Sequence, residues 1–289
     1  MGAIAVRAGM YRASMDEKSL LDEILRLYFE ERRSQNDVAE ILGITQWKVQ
    51  DRIRRSGRTA RPRWWNHKRT HSLNESAADS LTPQLAWILG WLISDGYVRE
   101  RVFGWRLAAR DRDVLEKFRC FFGYSGPIHD YSCFLERTNR SYPMAQLQIC
   151  SPQLVRVWTS YGIVPNKSTR ERYPEKLLNA DEETTRCFIR GVFEGDGSIL
   201  LDGKTSLLFQ IVGCRELLLE IQEQLIRYLD LDATKLTNNI KGRNHYALRY
   251  RGRFQALRIF DWLYRDSQWH LERKHDRYLE IRKFLGRST

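Results

Sequence analysis

Two aspartates occur in the same short pattern in the two halves of this sequence, and each directly precedes a glycine. Asp95 lies in the stretch Gly-Trp-Leu-Ile-Ser-Asp-Gly, and Asp196, 101 residues later, lies in Gly-Val-Phe-Glu-Gly-Asp-Gly. Two carboxylates that come close together repel each other unless they share a proton or a cation. Because carboxylate oxygens are hard ligands, such a pair predicts a site for a divalent cation such as Mg²⁺.

Apolar helices are predicted to carry both aspartates at their C-terminal ends. Small residues recur every four positions along them, at Ala86, Gly90 and Ser94 and again at Cys187, Gly191 and Gly195. Residues four apart share one helix face, and small side chains there allow two backbones to approach closely. We therefore expect the helices to pack through these faces, with the glycine after each aspartate in a left-handed cap. An acid at this end of a helix is unfavourable by roughly 0.3–1 kcal/mol, which favours a bound cation over two solvent-exposed acids.

The segments around the two helices repeat the same order of predicted elements. Alternating apolar residues predict two hairpins after each helix, at 97–110, 128–150, 198–212 and 235–250. Helices are predicted after each hairpin, at 113–122, 153–161, 217–229 and 254–264, and a closing helix ends near Gly286. Gly104 is placed at the turn of the first hairpin. The predicted fold class is α+β, with two pseudo-symmetric αββαββα halves at 81–178 and 179–289.

The N-terminal part predicts a small all-α unit of the helix-turn-helix type at 18–60, after a flexible tail at 1–17. Ser34 caps a short helix that Gly43 stops, and Thr45 caps a second helix with Trp47 on its apolar side. In DNA-binding units of this type the second helix enters the major groove. That helix is predicted to expose Gln46, Lys48, Gln50, Asp51 and Arg54. A three-helix packing module without a ligand is the alternative.

The chain is strongly basic, with a net charge of +12 and a pI of about 9.6. This balance indicates a polyanionic partner but does not separate nucleic acid from an anionic membrane surface. The linker at 61–80 begins with arginines interrupted by Trp64 and Trp65, which fits phosphate contact with base stacking or docking of the tryptophans on the next domain. No apolar run approaches the ~20 residues of a membrane span. The five scattered cysteines predict buried, reduced thiols without a zinc site, as in a cytoplasmic, nucleoid-associated protein.

Two copies of Gly-x-x-x-[Ser/Gly]-Asp-Gly at helix ends, each followed by hairpins, make residues 81–289 resemble a LAGLIDADG homing endonuclease of the single-chain, two-motif kind. The resemblance implies that the motif helices pack along a pseudo-dyad and that four strands of each half form a saddle over double-stranded DNA. It implies a monomer that makes a site-specific double-strand break, with a role in intron homing. The reaction would be phosphodiester hydrolysis by a metal-activated water.

The resemblance also assigns roles to single residues. Asp95 and Asp196 would bind the metal, joined by the backbone carbonyls of Ser94 and Gly195. Two basic residues that follow the last helix of each half, Lys167 and Lys274, would stabilise charge on the phosphate, although both could be ordinary surface lysines. Gln210 would position water or phosphate, with the apolar Leu107 as its counterpart. The basic residues expected to face DNA are Arg99, Arg101, Arg106, Arg110, Lys204, Lys235, Lys241, Arg243, Arg249 and Arg251.

Two other functions are compatible with the same fold. A catalytically silent transcription regulator can join a degenerate LAGLIDADG domain to a helix-turn-helix, and such proteins usually lack the acids. An intron maturase binds RNA through the same kind of basic surface. The presence of both Asp95 and Asp196 favours the endonuclease.

Overall fold

A computed structural model describes residues 16–31, 33–61, 71–165, 170–202, 206–240 and 242–286. The chain divides into two compact units, Met1–Thr70 and His71–Thr289. Several predicted features lie outside the described residues: most of the N-terminal tail, the Trp64–Trp65 pair, and the basic residues Lys167, Lys204 and Lys241.

Within its described residues, 16–31 and 33–61, the first unit has three helices, as predicted. Helix α1 (Glu17–Leu25) continues as a π-helical turn (Arg26–Glu30) and is followed by α2 (Gln35–Leu42) and α3 (Gln46–Arg55). These elements pack around a core of their own. The caps that the sequence predicts are present, because Ser34 and Asp37 form a reciprocal capping box, Gly43 is left-handed at φ 64°, and Thr45 accepts from the amide of Lys48.

Two residues of α3 lie elsewhere than predicted. Trp47 is 70% exposed and does not belong to the core, whereas Asp51 is only 9% exposed. The Asp51 carboxylate pairs with Arg54 at 2.9 Å and with Arg55 at 2.8 Å. The exposure of Gln46, Lys48, Gln50 and Arg54 agrees with the prediction.

The first half of the second unit follows the predicted order. Helix α4 (Pro83–Ile93) leads to strands β1 (Gly96–Val98) and β2 (Val102–Ala108), helix α5 (Arg112–Phe121), strands β3 (His129–Leu135) and β4 (Arg140–Cys150), and helix α6 (Pro152–Ser160). The strands form an antiparallel sheet in the order β1-β2-β4-β3. Gly104 is not at the hairpin turn but inside β2, where a Cβ would overlap the carbonyl oxygen of Leu147 and lie 3.0 Å from Cα of Gln148.

The second half repeats this arrangement. Helix α7 (Glu182–Asp196) leads to strands β5 (Gly197–Asp202) and β6 (Ser206–Gly213), helix α8 (Arg215–Leu229), strands β7 (Thr237–Asn238) and β8 (Tyr246–Arg251), and helices α9 (Arg253–Tyr264) and α10 (Glu272–Gly286). Its sheet has the order β5-β6-β8-β7. The predicted α+β fold with two αββαββα halves is confirmed, although β7 is shorter than the sequence pattern indicates.

One hydrophobic core runs through both halves of this unit. Trp87 of α4 contacts Phe118 of the first half and Trp269 of the second, with ring centroids 5.3 and 5.5 Å apart. Cys187 and Cys214 are buried thiols, but Cys120 and Cys150 are exposed, contrary to the prediction. Among the described residues, the helices are all too short or too polar to cross a membrane.

Candidate active site at the paired motif helices

Helices α4 and α7 approach so closely that only glycine fits at their crossing. A Cβ on Gly90 would lie 2.7 Å from the amide nitrogen of Val192, and a Cβ on Gly191 would overlap the carbonyl oxygen of Trp87. Ordinary side chains do not make contacts this short with backbone atoms, and the closely packed backbones leave no room for adjustment. The small-residue faces that the sequence predicts are therefore the contact faces of the two helices.

This packing brings the two aspartates to one place. A Cβ on Gly195 would lie 2.5 Å from Cβ of Ser94 and 3.2 Å from Oδ2 of Asp95, so the Asp95 carboxylate lies beside the residue that precedes Asp196. Asp95 is exposed and Asp196 is half-buried. The pair is thus held by the core on one side and is open to solvent on the other.

The glycines that follow the aspartates differ from the predicted left-handed caps. Gly197 is extended at φ −100° and ψ 168°, and Gly96 is the first residue of β1. A Cβ on Gly96 would lie 2.7 Å from Cα of Leu92, and one on Gly197 would overlap the carbonyl oxygen of Phe193. Glycine is needed here because the chain turns directly from helix into strand and passes close to the last helical turn.

Lys274 lies under the end of α7 rather than on the surface. Its side chain is buried, and its Nζ donates to the carbonyl oxygens of Phe193 and Glu194 at 2.8 Å and of Gly197 at 2.6 Å. Phe193 and Glu194 lie in the last turn of α7, where carbonyl oxygens lack donors within the helix, and Gly197 begins β5. Burial lowers the pKa of Lys274 to about 8, assisted by Arg273, while Asp95 and Asp196 are among the charges that oppose this shift. Lys274 therefore fixes the segment that carries Asp196.

Glu194 is the most deeply buried carboxylate near the site. Its Oε2 accepts from Nε1 of Trp87 at 2.7 Å and from Nε1 of Trp91 at 3.4 Å, so it links α7 to α4. Burial raises the pKa of Glu194 above its usual range. The sequence analysis did not single out Glu194, and the only signal for this link was an acidic residue within the apolar part of α7.

The oxygen donors at this site fit a hard divalent cation. Asp95 and Asp196 supply carboxylate oxygens. The carbonyl oxygens of Ser94 and Gly195 are not among the three that accept hydrogen bonds from Lys274. No group of three or more His, Cys, Asp or Glu side chains suited to a metal occurs in the described part of the chain. A cation here would take two carboxylates from the protein and complete its shell with carbonyl, water or substrate oxygens.

Gln210 lies on the outer face of β6, in a polar cluster. It faces Ser198 on one side and Arg249 on the other, and Nε of Arg249 donates to its Oε1 at 2.6 Å. The equivalent register position of the first half is Gly104, not Leu107, because Gly104 pairs with Tyr97 and Gln148 in the same way. In the first half, where glycine takes the place of Gln210, the polar contact is made by Tyr97, whose hydroxyl donates to Oε1 of Gln148 at 2.9 Å.

The basic residues predicted to face DNA fall into two groups. Arg106, Arg249 and Arg251 lie on strands, on the face opposite the core, and none of them forms an ion pair within the described segments. The others lie in turns or at strand ends, where Arg99, Arg110, Lys235 and Arg243 are exposed and Arg101 is half-buried. Only the first group therefore matches the expectation of strand residues that point away from the core.

The known proteins that resemble this chain have low sequence identity to it. No protein-family model matches it. A segment covering 51% of this chain is 27% identical over 154 residues to the glutamine–fructose-6-phosphate aminotransferase [isomerizing] of Methanocaldococcus jannaschii, and it spans only 13% of that protein.

Three solved structures illustrate the structural similarity. The homing endonuclease I-WcaI bound to its DNA recognition sequence has a TM-score of 0.47 at 14% identity, over 71% of this chain and 87% of that one. The I-LtrWI LAGLIDADG homing endonuclease bound to target DNA has 0.46 at 12%, over 70% and 91%. Full-length DUF199/WhiA from Thermatoga maritima has 0.43 at 14%, over 73% of this chain and 64% of that one. At these scores, none of the similarities assigns an activity to the chain.

Proposed function

We propose that this protein is a LAGLIDADG-type endonuclease that makes a site-specific double-strand break in DNA with the help of a divalent cation. The observation that carries the proposal is the pairing of Asp95 and Asp196 across a helix contact that admits only glycine at Gly90 and Gly191. Carboxylates that lie near each other repel, and a shared cation relieves the repulsion.

The proposed roles follow from the geometry of the site. Asp95 and Asp196, with the carbonyl oxygens of Ser94 and Gly195, would hold Mg²⁺ or a similar cation. When bound there, such a cation would polarise the scissile phosphate and lower the pKa of a water molecule. Lys274 would keep the backbone of α7 in place through its three bonds to carbonyl oxygens. Its protons are all used in these bonds, which favours a positioning role over direct contact with phosphate.

The charge distribution supports DNA as the substrate. Arg106, Arg249 and Arg251 carry charges on the outer sheet faces that no carboxylate of the described residues neutralises at ion-pair distance, and phosphate groups attract such side chains. In the separate N-terminal unit, Gln46, Lys48, Gln50 and Arg54 are exposed on the second helix of a helix-turn-helix, as major-groove binding requires. Since one chain carries both aspartates, a monomer would suffice.

A cleavage experiment with a library of random duplexes tests the proposal. The protein is incubated with the library and Mg²⁺, and the cut ends are sequenced to find an enriched site. Asp95→Asn and Asp196→Asn are each expected to abolish cleavage and to keep or strengthen DNA binding, because they remove negative charge near the phosphates. Asp276→Asn, on the exposed side of α10, is the matched control and should cut like the wild type.

The same experiment separates the alternative functions. A catalytically silent regulator would enrich a bound sequence without cutting it, and an intron maturase would prefer a structured RNA over every duplex. Full cleavage by Asp95→Asn would contradict the assignment of the metal site.

A further inference from the structure

A pocket of about 160 Å³ opens at the N-terminal ends of the two motif helices, away from the aspartates. Its walls are the first turn of α4, the second and third turns of α7, and the segment that joins α9 to α10. Arg186 in this pocket precedes Asp196 by ten residues, which corresponds to roughly 15 Å along a helix. The pocket is therefore separate from the proposed active site.

Two buried arginines line the pocket, Arg186 and Arg190, and of these Arg190 interacts electrostatically with the buried carboxylate of Glu194 on the same helix. Arg186 and Arg190 are 6% and 3% exposed, and the Nε of each has no hydrogen-bond partner among the described residues. Arg190 donates to the carbonyl oxygen of Leu263 at 2.8 Å and contacts Sγ of Cys187 at 3.2 Å. Within the described segments, no carboxylate forms an ion pair with either guanidinium. The only ion-paired arginine of the pocket is Arg265, which bonds Glu182 at 2.5 Å.

The positive charges of the arginines that line the pocket favour a bound anion. Burial lowers the pKa of Arg186, and the neighbouring charges of Arg265 and Arg190 lower it further. A buried cation that forms no ion pair, as Arg186 is among the described residues, is costly, and the charge of Arg190 repels it. Glu183 and Asp266 also line the pocket but are exposed, so water screens their charges. The joining segment is strained as well, since Asp266 has a φ of 52°.

We propose that this pocket binds the phosphate group of a small soluble molecule, with Arg186 as its main ligand and with added attraction from the charge of Arg190. Planar guanidinium groups bind phosphate oxygens through paired hydrogen bonds, and Arg186 and Arg190 both line the pocket. The volume corresponds to about five water molecules at ~30 Å³ each, which is enough for a phosphate group and the first atoms attached to it. Because the pocket contacts both motif helices, the bound molecule would stabilise their packing.

Thermal unfolding with inorganic phosphate tests this proposal. Relative to chloride at equal ionic strength, roughly 10 mM phosphate is expected to raise the Tm of the wild type by on the order of 2–4 °C. Arg186→Gln should show no such rise, and without phosphate its Tm should equal or exceed that of the wild type, because it removes an unpaired buried charge. Arg277→Gln, an exposed arginine of α10, is the control and should respond like the wild type.

Three results would overturn the proposal: no phosphate effect on the wild type, an undiminished effect on Arg186→Gln, or a lower Tm of that variant without phosphate. Arg186→Lys keeps the charge but loses the planar fork, so calorimetry should give it a phosphate affinity about 10-fold weaker than that of the wild type.

A DNA-binding measurement identifies the source of the phosphate. In phosphate-free buffer, Arg186→Gln should bind duplex DNA as tightly as the wild type, whereas Arg249→Gln should bind it more weakly. An equal loss for both variants would mean that the pocket holds a phosphate of DNA, and would refute the assignment to a small molecule.

Discussion

Replacing Gly191 by alanine tests whether the helix contact is as tight as the structure indicates. The added Cβ would overlap the carbonyl oxygen of Trp87 and lie 3.1 Å from Cα of Gly90. Both obstacles are backbone atoms in the middle of helix α4, so a change of side-chain rotamer cannot relieve them. The two helices must move apart, and the apolar contacts along their whole length loosen with them.

The expected loss follows from two opposing effects. Overpacking a closely packed interior costs about 1–3 kcal/mol, and a backbone clash belongs at the upper end of this range. Alanine returns about 1 kcal/mol because it forms helix more readily than glycine. We therefore expect the free energy of unfolding to fall by about 2 kcal/mol, which lowers Tm by roughly 4–8 °C for a unit of this size.

Urea unfolding followed by tryptophan fluorescence measures this loss, since Trp87 and Trp91 are buried beside the contact. Gly286→Ala is the matched control, because Gly286 ends a helix and a Cβ there would have nothing within 4 Å. Its stability should stay within about 0.5 kcal/mol of the wild type. A Gly191→Ala protein as stable as Gly286→Ala would refute the close packing of the two motif helices, and with it the reason for the pairing of the aspartates.

Three further predictions concern other parts of the chain. Because Lys274 has a pKa of about 8 in the folded chain and 10.5 ordinarily, the unfolded chain binds the extra proton between these pH values. The stability of the wild type relative to Lys274→Met should therefore rise from pH 8 to 10, and urea titrations that give a constant difference would contradict this. Asp111→Asn weakens the bonds of 2.5 and 2.9 Å from Arg273, which join the two halves, and should cost about 1–3 kcal/mol in the same assay. Removal of residues 1–70 should weaken DNA binding in fluorescence anisotropy and make its dependence on salt less steep; unchanged binding would give the N-terminal unit another role.

The sequence predicts well what depends on local pattern. The recurrence of small residues around Gly90 and Gly191 identified both the pair of helices and the face through which they pack. Ser34, Gly43 and Thr45 predicted the helix ends of the N-terminal unit, because caps involve residues only a few positions apart. The repeat of element order was visible for the same reason, since strands and helices each have their own periodicity.

The errors arose where a distant part of the chain determines the conformation. Glycine is common in turns, which is why Gly104 was placed in one. It lies inside a strand because it pairs with Gln148 of β4, more than forty residues further along the chain. Gly96 and Gly197 fit a left-handed cap equally well until the path of the following strand is known. Trp47 was assigned to the core because it is aromatic, although α3 is short and its buried face is already filled by Val49 and Ile53.

Buried charges were the least accessible feature. Lys274 was expected to stabilise charge on the phosphate, with an ordinary surface lysine as the alternative, and its burial depends on three carbonyls at or just after the end of a helix some eighty residues earlier. The burial of Arg186 and Arg190 was not predicted, because arginine is normally exposed. Only the packed structure shows that both are buried and that neither forms an ion pair with a described carboxylate.

Locating a bound cation by diffraction tests the central claim most directly. Crystals of the protein with duplex DNA and Mn²⁺ should show an anomalous peak within about 2.6 Å of carboxylate oxygens of both Asp95 and Asp196. Crystals of Asp95→Asn should lose this peak while the helices stay packed. A site without a peak, or cations bound elsewhere with the two aspartates unoccupied, would contradict the proposed metal-dependent nuclease.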